Sequence, residues 1–332
     1  MVHNLHEAAD KFDPQLKETW FILGYMHEGA IIVDSAVVAN LIQEQLPQYA
    51  HLEVSELKSP GTVNRIFRLG TDFVCKFPFL PTSREDLETE SRNFKEFSEN
   101  CSFLVPQLVK ILNPTNSYPS HWSVYTYIEG EAMTTESHQD SSTAAKNVGE
   151  LICEIKQRPP KEHVFKGQGR GGLLLNHDED FRTYCEQGVG LFEVEGTLAI
   201  WDVVKNLPAP NNLSMCHGDL QPQNLLVRES RIIGVLDCGS YSVADPALDL
   251  LFAWHAFDSQ RRAIVRETVG VDEEEWLRGA AWALVQSVGL AKYYETTNPQ
   301  MSIMGINTIN KILNSEEFLH TIPIKTQELG SH

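Results

Sequence analysis

The sequence predicts a two-lobed α+β fold, with an antiparallel sheet and one helix in an N-terminal lobe and a mainly helical C-terminal lobe. Three observations support this prediction. At 332 residues the chain is longer than a single hydrophobic core usually serves. Short strand patterns separated by turn residues follow one another before residue 131. Helical periodicity dominates after that point.

The composition is that of an ordinary globular protein, with 42% hydrophobic and 22% charged residues. Lys and Arg total 27 against 45 Asp and Glu, which gives a net charge of −18. This balance disfavours nucleic acids and anionic membranes as partners, and it weakly favours a cationic substrate. The six cysteines are scattered without a CxxC pair, so we expect reduced thiols and no zinc site.

Residues 1–30 are polar and acidic and are predicted to form a helical extension. They lack the basic flank and apolar core of a targeting segment, and no later segment is long and apolar enough to cross a bilayer. We therefore expect a cytoplasmic protein without a membrane partner. The sequence leaves the oligomeric state open.

The N-terminal lobe, residues 1–125, is predicted to begin its folded part with a helix from Asp34, which Asp34 or Ser35 would cap. Three strand patterns follow, separated by the turn signals SPGT and GTD: HLEVSEL, NRIFRLG and DFVCKFPF. Three strands in succession predict a small antiparallel sheet.

The segment TSREDLETESRNFKEFSEN begins with a capping residue and acidic residues, as a helix does. At 100° per residue, Leu87, Phe94 and Phe97 share one face, and Glu90 lies within the same arc. Because an unpaired buried carboxylate is costly, Glu90 needs a cationic partner. Lys76, in the middle of the strand FVCKFPF, is the candidate.

A strand that runs into a polar link, HWSVYTYIEGE, marks the predicted boundary between the lobes. We assign residues 126–131 to a hinge and residues 132–332 to the C-terminal lobe. Helical patterns in that lobe cover 141–158, roughly 178–206 and about 246–314.

The stretch CHGDLQPQNLLV places Asp219 and Asn224 five residues apart, just before an apolar run. An Asp in this pattern orients a substrate hydroxyl or accepts its proton, and the Asn turns back to ligate Mg²⁺. Asp237, at the end of RIIGVLD, supplies a carboxylate that would bridge the metal to nucleotide phosphates. Two short strands and a tight turn fit the spacing, so one hairpin is predicted to deliver all three groups.

These motifs, HGDLQPQN, LDCG and DPALD, together with SPGTVNRIFRLG and FVCKFP upstream, resemble the aminoglycoside phosphotransferase family. The resemblance runs from about residue 34 to about residue 310 and implies a protein-kinase-like fold. It implies a small-molecule kinase that uses Mg²⁺ and ATP or GTP, with aminoglycosides as the leading acceptors. The implied roles are these: Asp219 as catalytic base, Asn224 and Asp237 as Mg²⁺ ligands, Lys76 on the phosphates and held by Glu90, and the backbone of Thr126 to Ile128 on the nucleobase.

The phosphate loop departs from a glycine-rich pattern, because SPGTVN contains only Gly61. Asn64 and Thr62 are candidate side-chain donors there. Gly218 stands where protein kinases have Arg, and no APE segment is present, which disfavours a protein substrate. Tyr125 lies where the family guards the back of the base pocket, and it leaves the choice between ATP and GTP open.

The segment KGQGRGG matches GxGxxG at Gly167, Gly169 and Gly172. It does not follow a convincing strand or open a helix, so it is a weak dinucleotide signal. We interpret it as a loop of the C-terminal lobe, where similar family members carry an RGG segment near the substrate side.

Five further groups of residues are interpreted as structural. His217 is expected to brace the catalytic loop, and Asp245 to cap a helix that starts at Pro246. Asp249 is likewise expected to be structural, and the run from Asp272 to Glu275 to be the solvated start of a helix. The aromatic residues of the tail are expected in the core: Trp254, Phe257, Trp276 and Trp282.

Alternative functions remain open at this point. Macrolides, homoserine, choline or a sugar are rival acceptors, although Asn224 counts against macrolides because the macrolide enzymes that this family resembles often carry His there. A catalytically silent nucleotide-binding module of kinase-like fold is the alternative of a different class. An oxidoreductase that uses the GxGxxG segment is a third.

Overall fold

A computed structural model describes most of the chain, in four ranges: 30–57, 63–99, 101–159 and 170–319. The predicted helical extension before residue 30 lies outside these ranges. So do Gly61 and Thr62 of the predicted phosphate loop, and Gly167 and Gly169 of the GxGxxG segment. Among the helices of the described ranges, none combines the length and the hydropathy needed to span a bilayer.

The N-terminal part of the chain forms a five-stranded antiparallel sheet: β1 (Val54–Leu57), β2 (Asn64–Leu69), β3 (Phe73–Pro78), β4 (Leu108–Leu112) and β5 (Trp122–Thr126). Their spatial order is β1-β2-β3-β5-β4, so β3 lies at the centre. Lys76 of β3 pairs with Ile66 on one side and with Ser123 on the other. The predicted antiparallel sheet is confirmed, and it carries Lys76 on its central strand.

Helix α1 (Ser35–Gln45) packs against this sheet through Val38, Leu41 and Ile42. Asp34 caps the helix by accepting a hydrogen bond from the Val37 amide at 2.8 Å. The cap satisfies an amide that has no partner within the helix. The two capping candidates of the sequence are thereby resolved in favour of Asp34.

Helix α2 (Arg84–Ser98) begins in a capping box, in which Ser83 and Asp86 each bond the other's backbone amide. Its buried residues are the three that the 100° periodicity places on one face: Leu87, Phe94 and Phe97. Glu90 lies between them in sequence and is half-buried. The helix therefore presents a carboxylate towards the sheet, as predicted.

Seven helices of the described ranges form the C-terminal part: α3 (Ser142–Lys156), α4 (Asp178–Gln187), α5 (Val194–Val204), α6 (Leu251–Ala256), α7 (Ser259–Val269), α8 (Glu273–Tyr293) and α9 (Pro299–Leu313). The helical region predicted over 178–206 is therefore two helices. Gly190 between them has φ +92°, a backbone conformation that ends helical geometry. The four aromatic residues predicted for the core are all buried.

Helices α8 and α9 cross closely at Gly305. A Cβ atom at this position would lie 2.6 Å from the carbonyl oxygen of Ser287 and 2.9 Å from the amide of Ala291. Both are backbone atoms of α8, which cannot yield as a flexible side chain does. A glycine is therefore needed at position 305 for α8 and α9 to approach each other this closely.

Two small sheets complete the fold: β6 (Glu131–Ala132), β8 (Leu225–Arg228) and β9 (Arg231–Val235) form one, and β7 (Ser214–Cys216) pairs with β10 (Ser242–Ala244) in the other. The turn of the β8–β9 hairpin uses Glu229 and Ser230 with φ of 51° and 61°. Asn224 precedes the hairpin and Asp237 follows it. The predicted hairpin is confirmed, and it brings Asn224 and Asp237 to the same end of the two strands.

Candidate active site

The loop before the hairpin is braced from behind by Asp249. Its carboxylate accepts the His217 amide at 2.7 Å and the Gly218 amide at 3.1 Å. Burial raises the pKa of the Asp249 carboxyl, although His217 and the two amide hydrogen bonds oppose the rise. Gly218 has φ +82°, and a Cβ there would lie 2.6 Å from the Ser240 carbonyl oxygen. This close approach explains why Gly replaces the Arg of protein kinases.

His217 acts as a brace, as the sequence predicts. Its Nε2 bonds with the Leu236 carbonyl oxygen at 2.9 Å, and its Nδ1 accepts the Asp219 amide at 3.3 Å. Phe97 of α2 packs edge-on against the imidazole ring, with ring centroids 5.6 Å apart. Both ring nitrogens are thus engaged in holding the loop, and neither is left to act as a base.

Asp219 is held by three groups. Arg170 Nη2 donates to Oδ1 at 2.7 Å, Gln221 Nε2 donates to the same oxygen at 2.8 Å, and Asn224 Nδ2 donates to the backbone carbonyl at 2.9 Å. Enclosure by protein would raise the pKa of the Asp219 carboxyl. The charge and hydrogen bond of Arg170, with help from Gln221, outweigh it, so the net pKa is below the ordinary value. Asp219 is therefore ionised at neutral pH.

Asp237 lies two residues after the end of strand β9, with Leu236 between them. It has left-handed backbone angles, φ 55° and ψ 47°, which are strained for a residue with a Cβ. Desolvation raises the pKa of its carboxyl, as do the charges of Asp219 and Glu90, while Lys76 opposes them. Asp237 is therefore held in a strained backbone conformation, under the charges of two other carboxylates and one lysine.

Lys76 and Glu90 form a hydrogen-bonded ion pair, as the sequence predicts. The lysine side chain is 15% exposed and the glutamate side chain 23%. Burial alone would lower the pKa of Lys76, but the charges of Glu90 and Asp237 raise it above its ordinary value. The lysine therefore keeps its charge, and its hydrogen-bonded partner is Glu90 of α2.

Mg²⁺ prefers carboxylate and amide oxygens and keeps several water or phosphate ligands. Asp237 and Asn224 offer such oxygens, and a divalent cation would relieve the repulsion between the carboxylates of Asp237 and Asp219. Within the described ranges, no group of three or more His, Cys, Asp and Glu side chains is gathered as a metal cage. The residues present fit a metal that is shared with a phosphate ligand.

The segment predicted to meet a nucleobase follows β5. The amides of Thr126 and Tyr127 donate to the carbonyl oxygens of Gln107 and Asp72, at 2.9 and 2.7 Å. These two amides already have partners within the protein, so they are not free to bond a nucleobase. The next amide donor along the chain is that of Ile128. Tyr125, which precedes them, is buried.

Asn64 lies at the first position of β2, opposite Pro78 of β3. It is thus at the end of the sheet where residues 58–62 connect β1 and β2. Lys76 is paired with Glu90, and the charges of Lys76, Glu90 and Asp219 all act on Asp237. No hydrogen bond links Asn64 to this group among the described residues.

Arg170 is the residue at this site that sequence reasoning missed. It belongs to the RGG segment, 49 positions before Asp219, and no periodic pattern points to it. The sequence holds one indication of it: we interpret the RGG segment as a loop near the substrate side.

Asp245 and Asp249 are structural, as predicted, but Asp245 does not cap an α-helix. It accepts the Ala247 amide at 2.9 Å and so begins the turn that leads through a 3₁₀ helix (Leu248–Leu250) into α6. Pro246 is consequently in that turn and not at the first position of α6. Arg278 and Trp282 of α8 also bond the Asp245 carboxylate.

Comparisons with known proteins agree with this geometry. The model of a family described as "Phosphotransferase enzyme family" matches residues 56–283. No curated protein sequence matches the chain. Among solved structures, aminoglycoside 2'-phosphotransferase-IIIa in its GDP complex is similar, with 14% identity, TM-score 0.62, and coverage of 85% of this chain and 99% of that one.

Two further structures share the fold. Macrolide 2'-phosphotransferase MphH from Brachybacterium faecium has 17% identity and TM-score 0.59, with coverage of 83% of this chain and 98% of that one. The gentamicin complex of APH(2")-IIa has 19% identity and TM-score 0.57, with coverage of 86% and 98%. Since the family match spans more than half of the chain, and the two-lobed fold is that of these kinases, the chain belongs to the phosphotransferase enzyme family.

Proposed function

We propose that the protein transfers the γ-phosphoryl group of Mg-ATP or Mg-GTP to a hydroxyl group of a small molecule, with aminoglycosides as the leading acceptor class. The observation that carries this proposal is the convergence of two charged pairs at one site. Lys76 is paired with Glu90 and Asp219 with Arg170, and the charges of Lys76 and Asp219 both act on Asp237. Phosphoryl transfer needs this combination of cations and carboxylates.

In this proposal the N-terminal lobe, residues 1–125, binds the nucleotide, residues 126–131 form the hinge, and residues 132–332 bind the acceptor. Lys76 contacts the phosphates and Glu90 holds it in place. Gly61 and Asn64 are the proposed phosphate contacts that precede Lys76, Asn64 from the first position of β2. The backbone of Thr126 and Ile128 meets the nucleobase, Thr126 through its carbonyl group because its amide is taken by Gln107.

Asn224 and Asp237 are the proposed Mg²⁺ ligands, and the bound ion would neutralise charge on the phosphates. Asp219 accepts a hydrogen bond from the acceptor hydroxyl and orients it for in-line attack. Its low pKa makes it a weak base, so it contributes by positioning more than by early proton removal. This agrees with a largely dissociative transition state, in which the hydroxyl proton leaves late.

Two observations support aminoglycosides. The net charge of −18 favours acceptors that carry ammonium groups, and structures of similar fold were solved with kanamycin and gentamicin. The macrolide 2'-phosphotransferases of similar fold make macrolides the second acceptor class to examine. Because the donor is a Mg-nucleotide, we place the reaction in the cytoplasm. Antibiotic resistance would follow only from turnover of an antibiotic.

The test is release of nucleoside diphosphate by the purified protein, with Mg-ATP and Mg-GTP separately, across aminoglycosides, macrolides and small hydroxylated metabolites. Asp219→Asn is the active-site variant. Asp202→Asn, an exposed α5 residue paired with Arg182 and Lys205, is the matched control. We expect turnover that Asp219→Asn abolishes and that Asp202→Asn leaves unchanged.

Other outcomes decide between the alternatives. Turnover on a metabolite alone would keep the mechanism and replace the acceptor class. Thermal stabilisation by Mg-nucleotide with no diphosphate release across the panel would favour a silent binding module. Stabilisation by NAD instead of Mg-nucleotide would refute the kinase function.

A further inference from the structure

Arg170 occupies a position that the family motifs do not assign. Its Nη2 donates to Oδ1 of Asp219 at 2.7 Å, and Gln221 donates to the same oxygen at 2.8 Å. Oδ2 of Asp219 accepts no hydrogen bond from the described residues, so it is the oxygen left for an acceptor hydroxyl. About a third of the Arg170 side chain, 31%, remains exposed. Its Nη1 is buried and has no hydrogen-bond partner among the described residues, so the guanidinium group lies beside Asp219 with an unused donor.

The position of Arg170 is built into the fold. The next residue, Gly171, has φ +98°, and a Cβ there would lie 2.6 Å from Ala244 Cβ, so the chain passes tightly over β10. The Gly171 carbonyl oxygen accepts the Asp245 amide at 2.9 Å. Asp245 is buried and is bonded by Arg278 and Trp282, at 3.2 and 3.0 Å. The core of the C-terminal lobe thus fixes the point from which Arg170 reaches Asp219.

The two cations of the site serve different carboxylates. Lys76 is the charge that acts most strongly on Asp237, and Arg170 is the charge that acts most strongly on Asp219. A phosphoryl group in transfer lies between these carboxylates, because one holds its metal and the other holds its acceptor. Its transition state spreads negative charge over three equatorial oxygens, and a preorganised guanidinium stabilises such charge strongly.

We propose that Arg170 is a catalytic residue for the transfer and donates a hydrogen bond to an equatorial oxygen of the γ-phosphoryl group while it remains bonded to Asp219. This inference rests on the proposed function. In the step, the bond from the acceptor oxygen to the γ-phosphorus forms, and the bond to the β,γ-bridging oxygen breaks. The electron pair of that bond leaves with the nucleoside diphosphate. The hydroxyl proton passes to Asp219, and Arg170 stays protonated throughout.

A structural role is the competing explanation, since Arg170 could act only by holding Asp219. A measurement without any acceptor distinguishes holding Asp219 from contacting the phosphoryl group. A planar aluminium fluoride bound with Mg-ADP or Mg-GDP mimics the phosphoryl group in transfer. A group that contacts the phosphoryl must strengthen this complex more than it strengthens the diphosphate alone.

The experiment compares wild-type protein with Arg170→Gln, Arg170→Lys and the control Arg182→Gln. Arg182 forms its ion pairs with Asp178 and Asp202 on α4 and α5, so it matches the loss of charge without touching the site. Calorimetry measures the affinity for Mg-ADP and Mg-GDP with and without aluminium fluoride, and thermal unfolding checks that each variant is folded.

We expect wild-type protein and Arg182→Gln to gain at least about tenfold in affinity when aluminium fluoride is added. Arg170→Gln should lose this gain while its affinity for the diphosphate alone stays within about threefold of wild type, and Arg170→Lys should retain part of it. With any acceptor that turns over, Arg170→Gln should lower kcat by about a hundredfold or more and leave the nucleotide KM nearly unchanged.

Retention of the full gain by Arg170→Gln would overturn the proposal, as would the absence of any gain in wild-type protein that binds Mg-ADP. A loss of diphosphate affinity equal to the loss in the fluoride complex would show a structural role instead. If wild-type protein binds no Mg-nucleotide, the proposed function itself fails, and Arg170 has no phosphoryl group to contact.

Discussion

Asn93 of helix α2 donates a hydrogen bond from Nδ2 to the carbonyl oxygen of Gly239 at 2.7 Å. The same helix carries Glu90, and Gly239 lies two residues after Asp237. A Cβ on Gly239 would lie 3.2 Å from Glu90 Cγ, so the turn and the helix are in close contact. Glu90 holds Lys76, and Asp237 is the proposed metal ligand. Both are therefore positioned by the same contact, between helix α2 and the turn after β9.

Replacing Asn93 with Ala should weaken the positioning of Asp237. We expect a loss of about 1 kcal/mol in the free energy of unfolding, the usual value of one hydrogen bond. We also expect a higher Mg²⁺ concentration for half-maximal nucleotide binding. Denaturant unfolding and Mg²⁺ titrations measure the two effects. Asn206→Ala, which removes an exposed bond to the Asp202 carbonyl oxygen, is the control; an equal Mg²⁺ response in both variants would contradict the prediction.

Stability should fall below neutral pH because of His255. The imidazole is buried between Thr308 and Gln286, each at 2.8 Å, and burial lowers its pKa from 6.5 to about 4. The unfolded chain therefore binds a proton that the folded chain does not, and stability present above pH 6.5 is lost as the pH falls towards 4. Between pH 7 and pH 5 this group should lower the free energy of unfolding by about 2 kcal/mol.

Denaturant unfolding at a series of pH values measures this loss. His255→Gln should be less stable at pH 7 but should show a flatter dependence on pH, since it has no proton to gain. His51→Gln, at an exposed position, should keep the wild-type slope. The same slope in all three proteins would mean that other groups cause the acid sensitivity.

The crossing of α8 and α9 predicts opposite effects for two Gly→Ala changes. Gly305→Ala places a Cβ against backbone of α8 and should destabilise the protein by about 1–3 kcal/mol. Gly289→Ala in α8 meets only Tyr184, at 3.8 Å, and should stabilise it by up to about 1 kcal/mol through helix propensity. Denaturant midpoints measure both, and a stabilised Gly305→Ala would show that the helices can move apart without cost.

Local patterns predicted the elements that position the site. The 100° periodicity placed Glu90 on the buried face of α2, and its need for a cationic partner pointed to Lys76 in the middle of a strand. The turn and spacing predicted the hairpin between Asn224 and Asp237. These features depend on residues within one element or between neighbouring elements, so a periodic pattern records them.

Arg170 and the break between α4 and α5 follow from tertiary structure. Arg170 is set in place by Gly171 and by Asp245, which is 75 positions later in the chain than Arg170, so no local window contains the cause. Helix α4 ends at Gln187, and Gly190 at φ +92° lies in the turn that follows, between two apolar residues. The role of Asp245 as the start of a turn depends likewise on its bonds with α8.

Helix α2 is fastened at its two ends to different halves of the molecule. Near its start, Arg84 donates to Asn113 Oδ1 at 3.0 Å beside β4, and near its end, Phe97 packs edge-on against Tyr241 with centroids 5.2 Å apart. A fifteen-residue helix is a stiff rod and cannot follow both halves when they separate. Lobe motions of this kind take microseconds to milliseconds. If the two halves moved apart, spectroscopic labels on β3 and α2 would follow the distance between Lys76 and Glu90 in real time.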